Sequence, residues 1–330
     1  MRQDDFLARY QAEWQALEDW LDRRSRPARD QRRASGTGAL DDIDFPAAYR
    51  RASQHLAIAR RRGYSPLVQQ RLEMLMQRGH DVLYRPPSLR LRQVLQFFAG
   101  GLPRVVRRNH RFVWLAAVLF FVPLGVMIWL LQQQPELAHS VMPQMELAKL
   151  ERMYDPSDPR HAAGREGGTN LQMFGFYIFN NVSIAFQAFA SGLVVGVGSI
   201  YVLLMNGVMI GTVAGHLTAI GYGWPFWRFV SGHSGPELTS VVLAGAAGLR
   251  IGWALVAPGR LGRRQALVEA GREGAQIALG CFGLLVLAAF IEAYWSSIGW
   301  MPTAVKFGVG GTLWAFIVFW LWRGGRGHAP

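Results

Sequence analysis

Apolar and polar positions alternate with helical spacing along the first 84 residues and then give way to long apolar runs. From Asp4 to Arg24 the apolar residues Phe6, Tyr10, Trp14, Leu17 and Leu21 recur every three or four positions between charged ones, which predicts an amphipathic helix. Residues 25–41 lose that period and are rich in Arg, Gly, Ser and Ala, so they read as an exposed loop. A second helix is predicted from Phe45 to Arg62, capped at Asp44 or Phe45, with Pro46 in the first turn where a missing N–H costs little, and stopped by Gly63. A third follows from Pro66 to Tyr84, with Leu67, Leu72, Leu75, Met76 and Leu83 as its buried set. Residues 1–87 therefore read as a small helical bundle.

The next stretch, 88–111, places Leu89, Leu91, Val94, Leu95 and Phe98 against Arg90 and Arg92, and then Arg104, Arg107, Arg108 and Arg111. This pattern predicts an amphipathic helix lying on a membrane surface, with Arg104, Arg107, Arg108 and Arg111 offered to anionic lipid headgroups. Phe112 to Leu131 is long and apolar enough for a first membrane span. Residues 171–223 contain no Asp, Glu, Lys or Arg. One crossing takes about 20 residues, so these 53 uncharged positions make two spans back to back. Pro236–Ala257, Ala275–Tyr294 and Ala304–Leu321 complete six, with residues 258–274 as a basic loop and 323–330 as a basic tail. The fold class is thus an all-α polytopic membrane protein carrying an N-terminal helical bundle.

Charge orients these spans. Residues 1–110 hold 21 Arg against 12 acids, a net of +9, whereas residues 132–170 hold 4 Lys or Arg and 6 acids. The positive-inside rule places both termini in the cytoplasm and the 132–170 loop on the far side of an inner membrane. A basic half next to membrane spans reflects that bias rather than nucleic acid. Nothing near Met1 reads as a signal peptide. The short stretch Glu146–Tyr154 reads as a helix within the loop, and the aromatic run Trp224–Val230 as a membrane-interface segment holding one Arg.

Catalytic signatures are absent from the sequence: there is no HExxH, no GxSxG, no Walker A loop and no dinucleotide fingerprint. The lone Cys281 excludes an intramolecular disulfide and a cysteine-rich metal site. The expectation is accordingly no enzymatic activity, no cofactor and no metal. What stands out instead is polarity at membrane depth, at Asn180, Asn181, Asn206, His216, His233, Glu237 and Glu292, with Lys306 beyond the last. Such groups require partners inside the protein, so these residues are expected to form a shared intramembrane cluster, either locking helices or lining a path. Glu292 and Lys306 have the spacing to pair across a short turn. Gly207, Gly211 and Gly215 form GxxxGxxxG, and Gly245 and Gly248 keep a second span narrow, for internal packing or for subunit association into a homo-oligomer. Gly192, Gly196 and Gly198 mark the bend between the two uncharged spans or a break in the second of them, the third helix of the membrane part. A hydrolase would need a nucleophile beside His233, for which Ser231 and Ser234 are the near candidates.

The order IFNNVSIAF (178–186), GLVVGVGSIYVLLMNGVMIG (192–211), GHSGPELTSVVLAGAAGLRIG (232–252) and IEAY (291–294) resembles the stage II sporulation protein M family of bacterial multi-pass membrane proteins. In the N-terminal part, Trp14-x-x-Leu17-Glu18, Tyr49-Arg50, His55-Leu56-Ala57-x-Ala59-Arg60, Arg78-Gly79-His80 and Leu83-Tyr84 carry the same resemblance. It implies that Asn181, Asn206-Gly207, His233, Glu237 and Glu292 are the family's polar positions. At His233-Ser234-Gly235-Pro236-Glu237 the chain departs from the His-Gly pattern by an inserted serine and a proline. The resemblance further implies an integral membrane scaffold of an envelope assembly, linked to cell-wall remodelling, with other membrane proteins and a MoxR-type ATPase as partners. A more distant similarity to the six-span permease units of ABC-2-type exporters implies movement of a lipid or small solute instead.

Overall fold

The computed structural model describes residues 1–25, 44–83, 91–158 and 167–326, and these are helical or turn with no strand among them. The chain divides into two compact units, Met1–Leu89 and Arg90–Pro330.

In the first unit, α1 (Gln3–Ser25), α2 (Phe45–Arg61) and α3 (Pro66–Leu83) enclose a core of Phe6, Trp14, Leu17, Trp20, Phe45, Leu72 and Leu75. Pro46 stands at the start of α2, and Gly63, at φ +62°, turns the chain after it. The buried stripe of α3 is Val68, Leu72, Leu75 and Gly79, whereas Leu67 is 80% exposed and Leu83 is also exposed. Leu72 and Leu75 are thus buried and Met76 packs against the core, as the pattern predicts, while Val68 and Gly79 take the places of Leu67 and Leu83; Gly79 allows a close approach, since a Cβ there would lie 2.5 Å from the Tyr49 ring. Buried His55 accepts a hydrogen bond at Nδ1 from Trp14 Nε1 (3.0 Å), with the Tyr10 ring 4.1 Å away. Arg71 pairs with Glu18 at 2.8 Å, and that hydrogen bond raises the Arg71 pKa. Residues 26–43 and Tyr84, parts of the loop and third helix read from the sequence, lie outside the described residues.

The second unit contains α4 (Leu91–Gln96), a π-helical turn (Phe97–Gly101), α5 (Leu102–Arg108), α6 (His110–Gln133), α7 (Ala138–Val141), α8 (Gln144–Tyr154), α9 (Gly167–Ala190), α10 (Val197–Ala219), α11 (Gly223–Val230), α12 (Ser234–Val256), α13 (Arg263–Phe290, extended by a π-helical segment Ile291–Ser296) and α14 (Thr303–Arg323). Five of these, α6, α10, α12, α13 and α14, are long and apolar enough to cross a membrane. Helix α9 matches them in length with 24 residues and packs on α12 and α13, but Asn180, Asn181 and Gln187 lower its hydropathy.

Helix α12 is the centre of the unit: 72% of its most apolar stretch is buried, against 11% for α6 and 17% for α14. Small residues make that possible. A Cβ at Gly248 would lie 2.6 Å from the Ala188 carbonyl oxygen and 2.9 Å from that of Phe189, and a Cβ at Gly252 would overlap the Gly196 backbone. The turn between α9 and α10 is seated on this glycine track, with Gly196 at φ +81° and Val195 at φ +53°. A β-branched residue at positive φ costs about 1–3 kcal/mol. It is held there by the Gly196 N–H to Gly192 carbonyl bond (2.8 Å) and by Ser199 Oγ donating to the Ala188 carbonyl (2.6 Å). The other glycine stripe faces α6. A Cβ at Gly207 would overlap the Phe120 carbonyl, one at Gly211 would lie 2.6 Å from that of Leu124, and one at Gly215 would lie 3.0 Å from Ile128 Cα. Both numbers of each pair rise together, so α6 and α10 run parallel, and the connection between them must cross back through α9.

Three sequence expectations need correction here. The 88–111 segment does not simply lie on a surface: Leu102 and Val106 are buried beside Ile277, Cys281 and Leu285, because Gly280 and Gly283 leave room for Leu102 and Phe98; residues 88–90 lie outside the described residues. Most of the supposed 258–274 loop is helix, since Ala266, Ala270, Gly274 and Ile277 continue the buried stripe of α13. Arg228, read as an interfacial arginine, is buried, donating to the Gly299 carbonyl and to that of Met301 (2.5 Å).

Candidate functional site

Three of the polar residues singled out in the sequence converge where α11, α12 and the end of α13 meet. His233 precedes α12, Glu237 is in its first turn, and Glu292 is in the π-helical segment that extends α13. One ligand-type atom from each lies within 4.8 Å of the other two. His233 and Glu292 are buried, and Glu237 keeps 22% of its side-chain surface accessible. The π-helical turn sets Glu292 and Ser296, four residues apart, towards His233; such turns recur at functional sites. Ser296 Oγ lies 3.0 Å from His233 Nδ1, which fixes the ring and turns Nε2 towards Glu237 Oε2 at 3.8 Å. The Phe229 ring stands edge-on to the imidazole at 5.4 Å.

The surrounding cations are held by main chain. Lys306 Nζ donates to the Ser296 carbonyl (2.7 Å) and lies 5.9 Å over the Trp295 ring, and Arg228 binds the carbonyls of the 299–301 turn. Ser231 and Ser234 direct their hydroxyls at the carbonyls of Arg228 (3.4 Å) and Ser231 (3.3 Å), so Ser296 is the hydroxyl that meets His233.

The remaining polar residues sit elsewhere. Asn206 Nδ2 bonds back to the Val202 carbonyl of its own helix (2.8 Å). Asn180 donates to Asn181 Oδ1 (3.0 Å), and the buried Asn181 Nδ2 has no hydrogen-bond partner among the described residues. His216 Nε2 lies 2.8 Å from Glu151 Oε1, tying α10 to α8. Glu151 and Ser296 were not singled out in the sequence, and Arg228 was read only as an interfacial residue. Ser296 had a legible signal, its spacing of four from Glu292, whereas Glu151 stood among ordinary loop charges.

At the opposite ends of these helices arginines gather. Glu273 receives Arg108 Nη1 (3.0 Å) and Asn109 Nδ2 (3.2 Å), with Arg250 Nε at 3.8 Å. Arg107 donates to the Leu321 carbonyl near the end of α14 (2.8 Å), and Arg104 Nε to the Gly100 carbonyl (3.0 Å). Arg111 and Arg250 line a cleft of about 510 Å³ with Phe112, Leu115, Trp253 and Leu261. The arginine set read as headgroup ligands thus divides: Arg104, Arg107 and Arg108 bind protein groups, and Arg111 faces the cleft.

No curated protein and no solved structure matches the chain. A domain of unknown function (DUF8413) matches residues 4–85, which is the three-helix unit. The sequence model described as stage II sporulation protein M matches residues 116–297, more than half of the 330 residues and the stretch that carries His233, Glu237, Glu292 and both glycine stripes. The chain therefore belongs to the stage II sporulation protein M family.

Proposed function

We propose that this protein is a membrane-embedded scaffold subunit of a bacterial envelope assembly, and that α8 is its docking element on the extracytoplasmic side. The observation that carries this reading is the way α8 is mounted. Its inner face is fixed to the bundle by buried Leu147, by Glu151 on His216, and by the Tyr154 ring 5.3 Å from that of Phe226. Its outer face presents Met145, Lys149 and Met153 at i, i+4 and i+8, with Met145 82% exposed. The segment bears Glu146, Lys149, Glu151 and Arg152, so it is not a span, and exposed methionines on a rigid support suit an adaptable protein contact. The glycine-sealed contacts of α12 supply the rigidity that a platform needs.

In this reading the arginine-rich ends face the cytoplasm of a bacterial inner membrane, where the positive-inside bias puts them, and both termini lie on that side. Arg111 and Arg250 above an apolar cleft then meet anionic lipid headgroups. A permease-like role is the second reading, and the His233–Glu237–Glu292 trio within the bundle favours it. The two are separated by variants. Met145→Asp with Met153→Asp should abolish co-purification of membrane neighbours from native membranes while Glu237→Gln leaves it intact. The opposite pattern would favour transport.

A further inference from the structure

We propose that His233, Glu237 and Glu292 bind one divalent first-row transition-metal ion, zinc by ligand type. The proposal does not depend on the scaffold reading. It begins with geometry: the donors come from two distant stretches of chain, His233 and Glu237 at the start of α12 and Glu292 beyond α13, yet their ligand atoms lie within 4.8 Å of one another. The His233 Nε2 to Glu237 Oε2 distance of 3.8 Å is too long for a hydrogen bond. It is close to the spacing of two ligands of a shared ion, which at metal–ligand lengths of about 2.0–2.2 Å and tetrahedral angles stand roughly 3.3–3.6 Å apart. Bringing a 4.8 Å separation to that spacing takes side-chain rotations that move the two ligand atoms together by about 1.2 Å.

The imidazole is also oriented for an ion. A metal-binding histidine commonly has its other ring nitrogen held by a hydrogen-bonding neighbour, which fixes tautomer and ring plane. Ser296 Oγ occupies that position at His233 Nδ1, leaving Nε2 for the ion.

Glu237 and Glu292 place two carboxylates side by side in an apolar bundle, an arrangement that a cation between them stabilises. One imidazole with two carboxylates selects Zn²⁺ or Mn²⁺ over the all-oxygen preference of Ca²⁺ and Mg²⁺. Three protein donors leave a coordination position for water or for an exogenous ligand, and the accessible part of Glu237 gives a route in.

The test uses the full-length protein purified in detergent, stripped with a chelator and dialysed against Zn²⁺, Mn²⁺ or Mg²⁺ separately, with bound metal counted by elemental analysis. The expected result is one Zn²⁺ retained per chain, a melting temperature that rises with Zn²⁺ and not with Mg²⁺, and loss of both effects in Glu237→Gln and Glu292→Gln. Ser296→Ala should weaken binding by about 10–100-fold without abolishing it. Co²⁺ loaded into the wild-type chain should give visible d–d absorption bands, a readout that needs no variant to fold. Retention equal in wild type and the Glu237→Gln/Glu292→Gln double variant, or no Co²⁺ bands, would overturn the proposal. So would labelling of Ser296 by a serine-reactive phosphonate, since that would make the same residues a nucleophile and its base.

Discussion

Replacing Gly248 by alanine isolates the contact that holds the membrane unit together. A methyl group there would stand 2.6 Å from the Ala188 carbonyl oxygen and 2.9 Å from that of Phe189, and would overlap Ser199 Oγ. The two carbonyls belong to the last turn of α9 and cannot rotate away, and Ser199 is already committed to Ala188. Overpacking of this kind costs about 1–3 kcal/mol. Alanine is the better helix former by about 1 kcal/mol, which acts in the opposite direction. With rigid backbone on the far side the clash is at the upper end of its range, so the net loss is about 1–2 kcal/mol, or roughly a 5–30-fold shift towards the unfolded state. Gly271, in the same unit, has open space around its Cβ position. Gly271→Ala should therefore be neutral or stabilising by up to about 1 kcal/mol. Thermal unfolding of both variants in one detergent, followed by circular dichroism, compares them directly. A Gly248→Ala protein as stable as Gly271→Ala would refute the account of α12 as a backbone-sealed centre.

Two further outcomes follow from other parts of the chain. Burial lowers the His55 pKa below 6.5, so the native first unit holds this ring neutral, as its acceptance of the Trp14 N–H requires. The folded state then binds fewer protons than the unfolded one; the contribution is complete above about pH 6.5 and is lost as pH falls below it. Hydrogen exchange across residues 3–83 of the full-length protein should speed up on going from about pH 7.5 to about 5.5, after correction for intrinsic rates, and His55→Gln should remove that change. At the arginine-rich end, Arg111→Gln with Arg250→Gln should release co-purifying anionic phospholipid in native mass spectrometry while zwitterionic lipid is retained; unchanged anionic lipid would contradict the headgroup role.

Much of the membrane architecture was legible because burial in lipid leaves long, uncharged stretches and because close helix contact demands small residues at fixed spacing. Gly207, Gly211 and Gly215 announced a tight contact, although which helix they touch depends on the parallel course of α6 and α10 and is not written in their spacing. Charge misled at two places. The arginines of 88–111 suggested a surface helix and hid the wedge formed by Phe98 and Leu102, whose receptor, Gly283 and Gly280, lies some 180 residues along the chain. Those of 258–274 suggested a loop, although Ala266 and Ala270 kept the helical period. The polar residues were identifiable one by one, but their grouping was not. His233, Glu237 and Glu292 meet through a π-helical turn that no propensity specifies, and His216 is taken by Glu151 from a segment whose charges look like those of any loop.

The scaffold reading rests on the outward face of α8, and site-specific photocrosslinking in native membranes tests it most directly. A photoreactive side chain replacing Met145 should give a reproducible covalent adduct with a neighbouring envelope protein, identified by mass spectrometry, while the same group at Gly271 does not give that adduct. Adducts at position 145 with lipid alone, or the same protein adducts at both positions, would contradict the claim that α8 is where this protein holds its partner.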